Sequence, residues 1–160
     1  MCSLEGVWKI EERNIDNRSV DFTPNVHYWV FGAVDKHVLY IEVSLTEDAV
    51  DWVLENRVDM LSSYVFNIRS QRRHPYSEND FYCWYGGTLH IDESLGLLTF
   101  KPEFEGFSLE NDYEAIYELK NDQLIIASGT VNSRTRPTTF SPAIGSCVDR
   151  CRKVAAKTNR

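Results

Sequence analysis

The residues of this chain best suited to nucleophilic, redox or metal chemistry are four cysteines and four histidines. The cysteines stand at Cys2, Cys83, Cys147 and Cys151, and the Cys147-x3-Cys151 pair has no second well-spaced pair to complete a zinc site. That spacing leaves a Cys147–Cys151 disulfide or a metal half-site open, with reduced thiols the default in the absence of a secretory signal. His27, His37, His74 and His90 are scattered, and no two share the spacing of a helical metal motif. No serine lies in a nucleophile elbow, and Gly86-Gly87 lacks the Lys-Ser/Thr that follows a phosphate-binding loop. The acidic run Glu103, Glu105, Glu110, Asp112 and Glu114 lacks the ligand alternation and central glycine of a calcium loop. It reads as a solvated loop. Arg69, Arg72, Arg73 and His74 have the chemistry to grip a phosphate or an acidic partner, and read first as another solvated loop. Among strand carboxylates, Glu12 and Glu42 stand out, Glu42 because it lies between Ile41 and Val43. No catalytic, metal or cofactor motif emerges, so the chain is expected not to be an enzyme and to carry no cofactor.

The elements that would position these residues are mostly strands. Eight Tyr, eight Phe and four Trp in 160 residues favour pleated surfaces, where rings pack well. Leu4 to Asn14 reads as a first strand, with Trp8, Ile10 and Glu12 on one face. Val26 to Val34 and His37 to Leu45 read as a hairpin about Asp35-Lys36. His27, Trp29 and Phe31 share a face of its first strand, and Leu39, Ile41 and Val43 form the apolar face of its second. The period then changes. Val50, Val53, Leu54, Val58 and Leu61 recur at helical spacing, which predicts one inserted helix near 47–59. That helix would either cap an open end or pack on an outer wall. Further strands are expected at 63–70, at 81–92 with a bulge or corner at Gly86-Gly87, at 95–101, and as a hairpin over 113–119 and 123–128. A last strand is expected at 134–140, confined to an edge or bulge by Pro137. Turn signals about every ten residues fit an up-and-down barrel or a sandwich.

The length fits one domain with a proper core. The expected division is a barrel over 1–145 and a basic tail over 146–160, where Arg150, Arg152, Lys153, Lys157 and Arg160 gather. A net charge of −7 argues against non-specific nucleic-acid binding. No apolar run approaches the about 20 residues of a membrane span. The N-terminus lacks a charged segment followed by an apolar one, so the expectation is a cytoplasmic protein. Cys2 leaves open a lipoprotein anchored through that residue.

Gly6-x-Trp8 on the first strand, followed late in the chain by Tyr117-Glu118-Leu119, Asp122-Gln123-Leu124 and Arg136-Pro137-Thr138-Thr139-Phe140, resembles the lipocalin and wider calycin group. The likeness is closer still to poorly characterised bacterial lipocalin-like domains. It covers the two ends and little of the middle. It implies an antiparallel up-and-down β-barrel of about eight strands, closed at its base by Gly6, Trp8 and Arg136, or Arg134 in its place, with the arginine over the indole.

A barrel of that size is filled by side chains or holds one small ligand. Trp29, Phe31, Leu39, Ile41, Phe66, Trp84 and Tyr117 are the expected lining of its lumen. The number of rings favours a filled interior, and the same residue types would line a cavity. The leading functional expectation is non-catalytic binding of a small apolar or amphipathic molecule. The alternative is a protein-binding module, an inhibitor or immunity protein that meets a basic partner through an acidic outer surface.

Overall fold

The computed structural model describes residues 4–23, 25–45, 50–56, 61, 81–102, 112–130 and 135–155. Their strands are β1 (Gly6–Ile15), β2 (Arg18–Ser19), β3 (Val26–Val34), β4 (His37–Leu45), β5 (Phe81–Asp92), β6 (Leu97–Pro102), β7 (Tyr113–Lys120), β8 (Gln123–Gly129) and β9 (Ser146–Lys153). A short helix, α1 (Val50–Glu55), lies between β4 and β5. Every strand pairs antiparallel with its neighbour in the order β1-β3-β4-β5-β6-β7-β8-β9, and β9 pairs back to β1. The result is a closed eight-stranded barrel, with β2 as an extra two-residue strand on β1.

Tight turns follow from residues that tolerate positive φ. Asp16 (51°) and Asn17 (64°) join β1 to β2, Asp35 (56°) joins β3 to β4, and Asn121 (56°) joins β7 to β8. Asn and Asp are the non-glycine residues most at home in that region.

Two apolar clusters divide the strands' faces. Trp8, Ile10, Trp29, Phe31, Tyr40 and Leu89 join Leu98, Phe100, Ala115, Leu124, Ile126 and Cys151 inside the barrel. Val7, Tyr28, Val30, Leu39, Ile41 and Val43 form the opposite, outer face of β1, β3 and β4, where Val53 of α1 and Leu61 cover them. The inserted helix therefore packs on the outer wall. Leu39 and Ile41, expected in the lumen, point away from it. Strict alternation places Tyr40 and Glu42 inside instead, because Trp29 pairs with Glu42 and Phe31 with Tyr40. Gly32 makes room for the cover: a Cβ there would lie 2.6 Å from Leu61 Cδ1.

One end of the barrel is sealed by Leu4 and Trp8, both fully buried, with the Trp8 indole N–H donating to the Leu4 carbonyl at 2.9 Å. The cation near that ring is Lys153, whose Nζ lies 5.6 Å from its centroid. Gly6, at φ +143°, passes close beneath it; a Cβ would meet Lys153 Cε at 3.0 Å. Arg136 is elsewhere. It pairs with the Glu114 carboxylate and reaches the Leu98 carbonyl at 3.4 Å, tying the segment after β8 to the outside of β6 and β7.

The final strand also differs from expectation. Residues 135–145, with Pro137 and Pro142, contain no strand, whereas Ser146–Lys153 forms β9 and closes the barrel. Cys147, Asp149 and Cys151 alternate inward there while Arg150 and Arg152 face outward, so these two charges, expected in a tail, belong to the solvent side of a strand, and Lys157 and Arg160 lie outside the described residues. The expected strand at 63–70 lies outside the described residues. No described helix is long and apolar enough to cross a membrane.

Candidate functional site

At the end of the barrel opposite Trp8, a bulge in β1 decides which side chains enter the interior. Ile10 pairs with Cys151 and Glu12 with Arg150, so Glu11 is an extra residue. Alternation from Trp8 and Ile10 would point Glu12 inward and Arg13 outward. The bulge reverses this, exposing Glu12 and placing Arg13 and Ile15 opposite Asp149 and Cys147. A second bulge, in β5, sits beside Glu42: the register passes from Glu42–Tyr85 to Val43–Cys83 and leaves Trp84 as the extra residue. The irregularity expected at Gly86-Gly87 thus falls two residues earlier.

Arg13 enters the barrel between two carboxylates. Its Nε donates to Asp149 Oδ1 at 2.7 Å and its Nη2 to Asp149 Oδ2 at 2.8 Å. Its Nη1 donates to Glu42 Oε2 at 3.0 Å and Nη2 also to Glu42 Oε1 at 2.6 Å. Both pairs are two-pronged, the arrangement that best suits a planar guanidinium. The Trp29 indole N–H donates to Asp149 Oδ2 at 2.9 Å, and the Cys147 thiol approaches Asp149 Oδ1 at 3.7 Å. His27 Nδ1 lies 3.5 Å from Glu42 Oε2, with its ring stacked on Phe22 at 4.0 Å. The guanidinium carbon lies 5.5 Å from the Phe22 centroid and 5.9 Å from that of Trp29. All four polar members are buried, Asp149 and Glu42 almost completely.

Burial pushes the Glu42 carboxyl up, and the Arg13 charge, the His27 ring close by and the bonds from Arg13 outweigh it, holding Glu42 down at about 2. Burial opposes the Arg13 charge, yet Asp149 and Glu42 together raise its pKa well above the ordinary value. The Cys147 thiol is pushed far up, by burial first and by the Asp149 charge second, and Cys151 is raised by the same two causes. These thiols are therefore poor nucleophiles.

The ion cluster forms one side of a cavity of about 160 Å³. Trp29, Tyr40, Phe100 and Tyr113 give it an aromatic wall, Ile15 and Ile126 an aliphatic one, and Ser128, Gly129 and Thr130 a small-residue edge. The rings brace one another: Trp29 and Phe100 centroids are 5.4 Å apart, and Tyr40 meets Phe100 edge-on at 4.8 Å.

Of the residues expected to line a lumen, Trp29 lines this cavity. Phe31 stacks behind it, 5.8 Å away and fully buried, and Tyr117 packs against the inner cluster from β7. Leu39 and Ile41 lie on the outer wall. Phe66 lies outside the described residues, as does the side chain of Trp84. Glu42 was marked by its apolar neighbours. His27 shares its expected face with Trp29, whereas Arg13 and Asp149 carry no such mark, although the inward alternation of Cys147, Asp149 and Cys151 is a period-two signal that could have found Asp149. No protein-family model matches the chain, and comparison with curated proteins gives no match.

Proposed function

We propose that this protein is a non-catalytic, lipocalin-like binding protein that holds one small molecule in the cavity beside the Arg13 cluster. The observation that carries this reading is a cavity of about 160 Å³ bounded on one side by packed rings and on the other by buried, bonded charges. Its volume is close to the roughly 150 Å³ of an engineered apolar cavity that binds benzene. It therefore suits a ligand of about one ring with a short polar arm. An apolar wall supplies affinity and a few fixed polar groups supply orientation. A binding role also fits the chemistry of the titratable groups. Glu42 is committed to Arg13 and held as a carboxylate, and the Cys147 thiol is held protonated, so neither is poised near neutrality for proton transfer or nucleophilic attack.

Titration with benzyl alcohol, followed by NMR, tests the reading. The Trp29 indole N–H resonance is expected to shift in a saturable way. Ser128→Leu, which projects a larger side chain into the same space, is expected to fold and to abolish that shift. Saturable binding of equal strength in Ser128→Leu, or no binding in the parent, contradicts the proposal.

A further inference from the structure

Resting on the binding role just described, the charge balance of the cavity specifies its ligand further. Among the described residues, the charged groups that line it are one guanidinium and two carboxylates. Asp149 is fully engaged, accepting two N–H bonds from Arg13 and one from Trp29, with the Cys147 thiol close by. Glu42 is less so: among the described contacts its Oε1 accepts only from Arg13 Nη2, and a carboxylate oxygen has room for a second donor. We propose that the ligand is a small organic cation, a protonated or quaternary amine on a body of about one ring, whose charge is met by Glu42 and by the faces of Trp29, Tyr40, Phe100 and Tyr113.

Three considerations lead there. First, among the described residues that line the cavity two carboxylates, Glu42 and Asp149, face the single guanidinium of Arg13, and buried charges are strongly driven to find partners. His27 is the other described partner of Glu42. It stands on the far side of Glu42, against Phe22, and does not line the cavity. Second, an anionic ligand would have to take Arg13 from one of its two carboxylates, leaving three negative charges around one guanidinium. Third, the wall facing the cluster is aromatic, and ring faces attract cations by about 0.5–2 kcal/mol according to how dry the site is. Ammonium and aromatic wall thus cooperate where a neutral ligand would use the wall alone.

The experiment compares three probes of one shape and different charge on the full-length parent protein by calorimetry: benzylammonium, benzyl alcohol and benzoate. The expected order is benzylammonium about tenfold or more tighter than benzyl alcohol, a gap of about 1.4 kcal/mol or more, with benzoate weakest. In Glu42→Gln the ammonium is expected to lose that advantage while the alcohol keeps its affinity. Should Glu42→Gln fail to fold, Tyr113→Leu serves as second variant; it is expected to weaken the ammonium more than the alcohol. Equal binding of ammonium and alcohol by the parent, or preference for benzoate, overturns the cation assignment and leaves the small-molecule role standing. Absence of binding by all three overturns both.

Discussion

Arg13 is the residue on which the interior depends most. It pairs with two buried carboxylates that no other described cation approaches as closely. An intact buried cluster of this kind often adds little net stability over an apolar packing, but breaking it by removing one partner typically costs about 3–5 kcal/mol. Arg13→Met is expected to lose about that much, which for a chain of this size is a drop in Tm of roughly 6–20 °C. A thermal melt within a degree or two of the parent would show that the cluster is not what holds this end of the barrel. Glu42 supplies a pH signature. Its pKa in the fold, about 2, lies below its ordinary value of 4.5, so the fold favours the ionised form. The stability this confers is complete above about pH 4.5 and is lost progressively as pH falls toward 2. Glu42→Gln is therefore expected to be less stable than the parent at neutral pH and to converge with it near pH 2. Urea midpoints measured across that window check the sign; parallel curves for the two proteins would contradict it.

At the scale of elements, hairpins could be read from the sequence and bulges could not. Val26–Val34 with His37–Leu45, and Tyr113–Lys120 with Gln123–Gly129, announce themselves through alternation about Asp35 and Asn121. Alternation alone, however, names two faces without saying which is the interior. On β4 both faces are largely buried, one by the barrel and one by α1, so the more apolar face of Leu39, Ile41 and Val43 proved to be the outer one. Burial on both sides removes the polar contrast that normally marks the solvent face. The bulge at Glu11 defeats alternation in another way. It changes the phase of β1 in mid-strand and brings in Arg13, which a steady period of two places outside. The outer cover makes its own prediction. Gly32→Ala would press a methyl group onto Leu61, and overpacking of that kind costs about 1–3 kcal/mol. Leu61→Ala is expected to relieve the clash, so the cost of Gly32→Ala should shrink in the double variant. Additive losses in a double-mutant cycle would separate Leu61 from Gly32.

At the scale of the whole molecule, the two ends of the barrel divide the work. The Trp8 end is plugged: Leu4 accepts the indole N–H, Gly6 lets the chain pass, and Lys153 approaches the ring. A sealed end with a tryptophan beside Gly6 could be read from the Gly6-x-Trp8 pattern. The source of the cation could not, because Arg136 precedes the true last strand and pairs with Glu114 on the outside wall. The opposite end carries the cavity and the cluster, built from β1, β3, β4, β8 and β9, strands that lie together only because β9 closes on β1. Arg13, Glu42 and Asp149 are far apart in the chain, so their meeting is a property of closure that no local pattern encodes. The same closure brackets the cavity with rings from β3, β4, β6 and β7, giving one small site with an apolar side and a charged side.

Native mass spectrometry of the protein purified gently from its own host is the most direct test that this site is occupied in use. The account predicts a mass above that of the chain by one small molecule, released on denaturation and absent from Ser128→Leu. A bare chain mass in the parent, identical to that of Ser128→Leu, would contradict it.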